Sequence, residues 1–455
     1  MSKKASWVGR FSFYLLAIGS ACGLGNIWRF PYVVGENGGG AFLLLYIFLA
    51  FTVGISILIA ELILGRSGEF SLLKISKLAS LQNKIPLFWF ARLSILINLV
   101  MLAYYSVISG WVLHYITQFI VGLFKQDHIL YISSINMEAL KQSGSLQFSL
   151  ASVHLIICGL IVSTGVIERF GKIFLKILPV LVVLFIVLIS RSFSLDTTNE
   201  AMRFLFYPDF SKLDLSSLGR ALGHVFFTLS LGMGILVTYG TYFKNDQHLP
   251  SVGFRVTVVD MIISIMALLL VFPIAFLSDS SHYFTDPGIL FESLPNLFVK
   301  IKYGEFFGLI FFICLWLTAL NASIGLFENL IANLNDKFQK ISRNQSAFLT
   351  TMGVLFLTIF PAYSGTLFLK YKWFNQSFIE NLDSLLINYL LPIASLGVII
   401  IFFYVLSEKE RKEKFIDING KNSQAMYSHW IWVLKWFSPG LIILALLMQF
   451  INLLR

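Results

Sequence analysis

Ser12 to Phe30 reads SFYLLAIGSACGLGNIWRF, an apolar run of membrane-spanning length that cannot be one continuous helix. Gly19, Gly23 and Gly25 fall close together within it, and each glycine interior to a helix costs roughly 1 kcal/mol relative to alanine. A break near mid-membrane is expected. Non-helical backbone survives inside a bilayer only where it lines a protein-enclosed cavity, because lipid offers its N–H and C=O groups no partner. Freed carbonyls can hold a cation there, and the positive end of the following half-helix can hold a carboxylate. The other reading of these glycines is close helix packing. A second interrupted span further along weighs against it.

The 455 residues are 57% hydrophobic, 16% aromatic and 13% charged, which describes a polytopic membrane protein and excludes a soluble globule. No cleavable signal peptide is evident, because the short basic start MSKKASWVGR leads into a span without a small-residue cleavage pattern. The net charge of +10 is ascribed to loop topology and contact with anionic lipid, with no nucleic-acid partner. Cys22, Cys158 and Cys314 lie in apolar segments and give neither a disulfide framework nor zinc spacing. No nucleotide loop and no Ser/His/Asp arrangement is found, and His114 and His154 read as packed or interfacial. The chain is not expected to be an enzyme or to carry an organic cofactor.

About eleven spans follow, an odd number that puts the termini on opposite sides. Lys3, Lys4, Arg10, Arg66, Lys74, Lys77, Lys84 and the run SEKERKEK from Ser407 to Lys414 place the N-terminus in the cytoplasm by the positive-inside rule. The C-terminus is then extracellular or periplasmic, and the expected location is the plasma (inner) membrane. Phe70 to Lys84 reads as an amphipathic segment on the inner surface. The loops Lys125 to Gln147, Phe193 to Ser217 and Ser278 to Tyr303 fall outside, the last long enough for a hairpin over an entrance.

The second break lies in span six, HVFFTLSLGMGILVTYG (His224 to Gly240), where Gly232 and Gly234 follow Ser230. Two interrupted segments in corresponding positions of two halves point to the central site of a transporter. The expected fold is therefore all-α, with two inverted five-helix repeats, broken helices one and six, and one extra C-terminal helix. The expected boundaries are 1–190 for spans one to five, 191–217 for an extracellular loop and 218–407 for spans six to ten. A cytoplasmic loop over 408–429 and span eleven over 430–455 complete the chain.

Trp7, GSACGLGNIWRFP (Gly19 to Pro31), ENGGGAF (Glu36 to Phe42) and ELILGR (Glu61 to Arg66) together resemble the signature of the neurotransmitter:sodium symporter family, in its bacterial amino-acid-transporting branch. The similarity resumes in AYYSVISGW (Ala103 to Trp111), IERFGK (Ile167 to Lys172), FFTLSLGMG (Phe226 to Gly234) and ALNASIGLFE (Ala319 to Glu328). It covers nearly the whole chain. Broken-helix transport through a midplane site is the family's mechanism.

That resemblance implies a substrate site. Backbone N–H groups near Gly23 and Gly25, with the Tyr105 hydroxyl, would hold a carboxylate, and the carbonyls of Ala21 and Phe227 would take an amine. Monoamine carriers of the family have an aspartate where Gly23 stands, so its absence favours an intact amino acid. Met101, Phe227, Ser230, Met233, Ala322 and Leu326 would line the side-chain pocket, with Ser20 and Thr228 as polar neighbours. This pocket suits a hydrophobic or aromatic L-amino acid, although the methionines also read as ordinary span packing.

The first sodium site implied by the resemblance consists of Ala21, Asn26, Thr228 and Asp260, completed by the substrate carboxylate, so that ion and substrate bind interdependently. Most relatives have asparagine at Asp260. A fixed acid there would make chloride unnecessary, and chloride-independent transport is expected. His224 replaces a glutamine of the family's chloride site. It reads either as a residue that hydrogen-bonds Asp260 or carries a proton on the return step, or as a neutral core histidine satisfied by a backbone carbonyl. The second sodium site would use Gly19, Cys22, Thr318 and Asn321, but Ala322 replaces its other side-chain oxygen. Lys176 stands where relatives have a helix-loosening proline. It reads either as a substitute for the second ion or as a lysine reaching to the cytoplasmic face.

The outer gate would pair Arg29 with Asp383, and the inner one Lys4 and Trp7 with Asp336 beside Tyr242. The leading expectation is symport of an L-amino acid with one or two Na⁺ by alternating access. The alternatives are a sodium-independent or proton-coupled carrier with Lys176 at the second ion site, and a membrane sensor or channel.

Overall fold

A computed structural model describes residues 23–68, 71–83, 85–124, 137–164, 167–241, 248–276, 303–368, 377–416 and 423–454, with Phe291, Leu294, Pro295 and Phe298 placed between. For 167–178 the backbone alone is described. Eight of the described helices are long and apolar enough to cross a membrane. They are span two (Gly40–Ser67), span three (Phe88–Phe124), span four (Gly144–Ser163), span seven (Leu249–Ala275), span eight (Gly304–Lys337), span nine (Arg343–Ala362), span ten (Phe378–Val405) and span eleven (Gln424–Ile451). Span five is Ile167–Ser192, and span six is split into Leu215–Thr228 and Ile235–Gly240. Of span one, the half from Gly25–Arg29 through Phe30–Glu36 is described. These segments match the eleven expected spans.

Span three is the most enclosed of the eight and span eleven the least, at 78% and 22% buried over their most apolar windows. The centre is therefore built on span three, which packs along span eight, while span eleven lies outside. Spans two and six meet backbone to backbone. A Cβ on Gly65 would lie 2.0 Å from the Val237 carbonyl oxygen, and one on Gly240 would lie 2.6 Å from that of Leu62. Two small residues facing each other are what such close approach requires.

Helix starts outside the apolar zone carry the side-chain caps that exposed N–H groups need. Asp214 caps span six, accepting from Ser217 N–H at 2.7 Å, and Ser377 with Glu380 does the same for span ten. Burial pushes the Asp214 carboxyl up, but hydrogen bonds from Ser216 and Ser217 outweigh it and hold the group below the usual carboxylate range. The expected inner-surface segment is the helix Leu72–Asn83, which buries Leu72, Ile75 and Ala79. Its other face exposes Leu78 and Leu81. The 193–217 loop holds a helix, Thr198–Phe206. Most of the proposed entrance hairpin lies outside the described residues, but Phe291 and Phe298 are buried against Tyr115, Phe119 and Phe312.

Candidate functional site

Span six breaks at the predicted place. Ser230, Gly232 and Gly234 take left-handed φ values of 57°, 74° and 76°, which glycine adopts without a Cβ penalty. The groups released from the helix find side-chain partners, as buried polar backbone must. The Gly232 N–H donates to Glu61 Oε1 at 2.7 Å, and the Gly232 carbonyl accepts from Ser94 Oγ at 2.5 Å. The Met233 carbonyl accepts from both Asn98 Nδ2 and Asn329 Nδ2, each at 2.8 Å. None of these four side chains was singled out from sequence. Glu61 carried the available signal, an acid inside an apolar span, which marks function by default.

A small cavity lies beside the break. Gly23, Gly25, Asn26, Tyr105 and Thr228 form one part of its wall, and Met101, Phe227, Ser230, Met233, Ile235, Ala322 and Leu326 the rest. The structure thus brings together every described residue expected to touch substrate and adds Ile235. Ser20 and Ala21 lie outside the described residues. The Tyr105 hydroxyl accepts from the N–H of Leu24 at 3.0 Å, at the start of the half-helix where the resemblance put a carboxylate. The Phe227 ring lies against Gly25, where a Cβ would come within 2.6 Å of Cε1. The Phe227 carbonyl accepts from the Ser230 N–H at 3.1 Å.

Asp260, fully buried, lies outside the cavity lining, bonded to its wall residue Asn26. Its Oδ1 accepts from Asn26 Nδ2 at 2.6 Å and its Oδ2 from the Tyr46 hydroxyl at 2.8 Å. The Tyr46 hydroxyl also lies 3.1 Å from Thr228 Oγ1, and Asn26 Nδ2 lies 2.9 Å from Ser264 Oγ. Asn26 Oδ1 is buried without a partner. No lysine, arginine or histidine pairs with Asp260 among the described residues. A buried carboxylate beside an unmatched carbonyl oxygen fits a hard monovalent cation, which would satisfy both. Ala21, the remaining expected ligand, lies outside the described residues.

His224 corrects one of its two readings: it faces Arg29, not Asp260. Its ring stacks on Phe30 at 4.8 Å and 8°, an orientation that brings Nδ1 to 3.0 Å from Arg29 Nη1. Because guanidinium only donates, Nδ1 is the acceptor. The alternative partner, a backbone carbonyl, is not seen either, since Nε2 is buried without a hydrogen bond.

Arg29 and Asp383 meet as the outer pair, with Nε to Oδ2 at 2.9 Å. Both residues are at least 95% buried. Tyr32 and Tyr104 each donate to the same carboxylate at 3.2 Å. Three donors and burial leave this carboxylate desolvated and fully engaged. At the opposite end Asp336 Oδ2 accepts from the Ser71 N–H at 2.7 Å. Lys4 and Trp7, its expected latch partners, and the adjacent Tyr242 lie outside the described residues.

At the second ion site, Asn321 is buried with neither amide atom hydrogen-bonded, and Thr318 Oγ1 donates to the Leu315 carbonyl at 2.7 Å. Gly19 and Cys22 lie outside the described residues, as does the side chain of Lys176. Ala322, where a further side-chain oxygen was missing, lines the cavity.

The profile of the Sodium:neurotransmitter symporter family matches residues 4–124 and 117–455. The chain is 29% identical to an uncharacterised sodium-dependent transporter of Bacillus subtilis (strain 168), over 99% of this chain and 98% of that one. It is 30% identical to an uncharacterised sodium-dependent transporter of Haemophilus influenzae, over 90% and 91% respectively. The crystal structure of MhsT in complex with L-phenylalanine superposes with a TM-score of 0.87 at 30% identity, covering 97% of this chain and 99% of that one.

Proposed function

The chain belongs to the sodium:neurotransmitter symporter family, and from that premise we propose that this sodium-dependent membrane symporter carries a hydrophobic or aromatic L-amino acid without needing chloride. The observation that carries the proposal is the cavity wall. Backbone and hydroxyl donors gather at one end around Leu24 and Tyr105, and Met101, Phe227, Met233, Ile235 and Leu326 form an apolar remainder. A zwitterion with an apolar side chain matches both parts. The resemblance to MhsT, crystallised with L-phenylalanine, supports the same class.

Asn26, Thr228 and Asp260, with Ala21, would hold one sodium ion, and the substrate carboxylate would complete its shell. That sharing makes each ligand raise the affinity for the other. Asp260 supplies the fixed negative charge that an anion would otherwise bring. The bare amide of Asn321 supports a second ion nearby. Transport proceeds by alternating access: with the N-terminus cytoplasmic, Arg29 and Asp383 close the outer side, and release follows separation around Asp336. Spans one to five and six to ten form the two repeats that rock against each other.

The test is uptake of radiolabelled L-phenylalanine, L-leucine and L-alanine into proteoliposomes with Na⁺, Cl⁻ and pH gradients varied separately. Accumulation should require sodium, favour the larger apolar substrates and be indifferent to replacing chloride with gluconate. Loss of uptake in gluconate would overturn chloride independence, and accumulation without sodium would overturn the coupling.

A further inference from the structure

The unwound segment of span six is hinged twice around one residue. Met233 sits between Gly232 at φ 74° and Gly234 at φ 76°, so little in the local backbone fixes the plane of the Met233–Gly234 peptide. What fixes it is a pair of amides from two other spans. Asn98 of span three and Asn329 of span eight each donate Nδ2–H to the Met233 carbonyl at 2.8 Å. Asn329 is itself held, because its Oδ1 accepts from Thr238 Oγ1 at 2.9 Å and from Asn333 Nδ2 at 3.0 Å. Thr238 lies in the half-helix beyond the break. Asn98 and Asn329 are both buried, and neither lines the cavity, whereas Met233 does.

We propose that Asn98 and Asn329 are specificity-determining positioning residues. By clamping the Met233 carbonyl they set where the Met233 side chain enters the cavity, and hence the depth available to the substrate side chain. The inference rests on the reading that this cavity receives an amino-acid side chain. Methionine alone would be an adaptable wall, since it is unbranched with several rotatable bonds. Fixing its backbone limits that adaptability to the side chain itself. Two hydrogen bonds on one carbonyl also make the clamp partly redundant, so removing one asparagine should matter less than removing both.

The full chain in proteoliposomes tests this with Asn98→Leu, Asn329→Leu and the double variant. The readout is the ratio of KM for L-phenylalanine to KM for L-alanine, with the sodium half-saturation measured alongside. The double variant should shift the ratio about tenfold from wild type, each single variant by less than about twofold, and the sodium half-saturation by less than about twofold. Asn98→Gln, which keeps the amide donor, should restore a ratio nearer wild type than Asn98→Leu gives. If a leucine variant fails to purify as a monodisperse protein, Asn98→Ala and Asn329→Ala carry the same expectation. A uniform fall in uptake with an unchanged ratio would mean ordinary structural support and would overturn the proposal. Failure of the wild-type protein to accumulate any of the three amino acids would instead overturn the substrate reading on which it rests.

Discussion

Asn26 of span one reaches Asp260 of span seven with its amide nitrogen 2.6 Å from Oδ1, while its own Oδ1 is buried without a partner. One side chain thus anchors the acid and presents an unmatched oxygen beside it. A buried acid and an unmatched oxygen are brought together in a single contact between two spans.

Replacing Asp260 with asparagine keeps the shape and removes the charge. We expect the sodium concentration for half-maximal uptake to rise about tenfold or more, since hydrogen bonds and contacts to a charged group contribute roughly 1.5 to 3 kcal/mol. Sodium titration of uptake measures this. An unchanged titration curve would remove Asp260 from the ion site.

Sodium itself should stabilise the fold. An ion that binds the native state at 100 times its dissociation constant adds about 2.7 kcal/mol. Exchanging sodium for potassium should therefore lower the melting temperature of the detergent-solubilised protein by several degrees. In Asn26→Ala most of that difference should vanish, and its persistence would show that the stabilising ion sits elsewhere.

Asp383→Asn leaves Arg29 buried beside His224 without its counter-charge. Removing one partner of a buried pair costs about 3 to 5 kcal/mol, and here the cost falls on the closed state. We expect uptake to drop at least tenfold while sodium-dependent substrate binding persists. Tyr104→Phe, which removes one of two phenolic donors to Asp383, should cost only a few-fold. Equal loss in both variants would argue against the ion pair as the dominant closure.

Gly65→Ala and Gly240→Ala both push a methyl group into backbone of the neighbouring span. Overpacking of this kind costs about 1 to 3 kcal/mol. A methyl group on Gly353, in span nine, would meet nothing within 4 Å, so Gly353→Ala serves as the control. Thermal unfolding should separate the first two from the third. Three indistinguishable melting curves would contradict the close packing of spans two and six.

The break in span six and the wall of the cavity were legible because glycines in an apolar run have few other uses, and because Tyr105, Phe227 and Met233 sit inside recognisable motifs. Asn98 and Asn329 were not, because they act on a main-chain carbonyl, which leaves no trace in a side-chain pattern. One reading of His224 turned it toward Asp260 and the other toward a backbone carbonyl, and its ring meets Arg29 instead. Nothing in the sequence shows that its ring lies flat on Phe30, and that stacking turns Nδ1 toward Arg29. Glu61 was visible as the acid of a motif, but its partner, the Gly232 N–H, exists only once span six has unwound.

Gly25 also makes room in the cavity wall. Because the edge of the Phe227 ring occupies the space where any larger residue would put its first carbon, the ring's seat in the cavity wall depends on an atom that is missing. Even alanine there would prop the ring away from its seat, so the position of that aromatic wall and the identity of the smallest residue facing it are one and the same property.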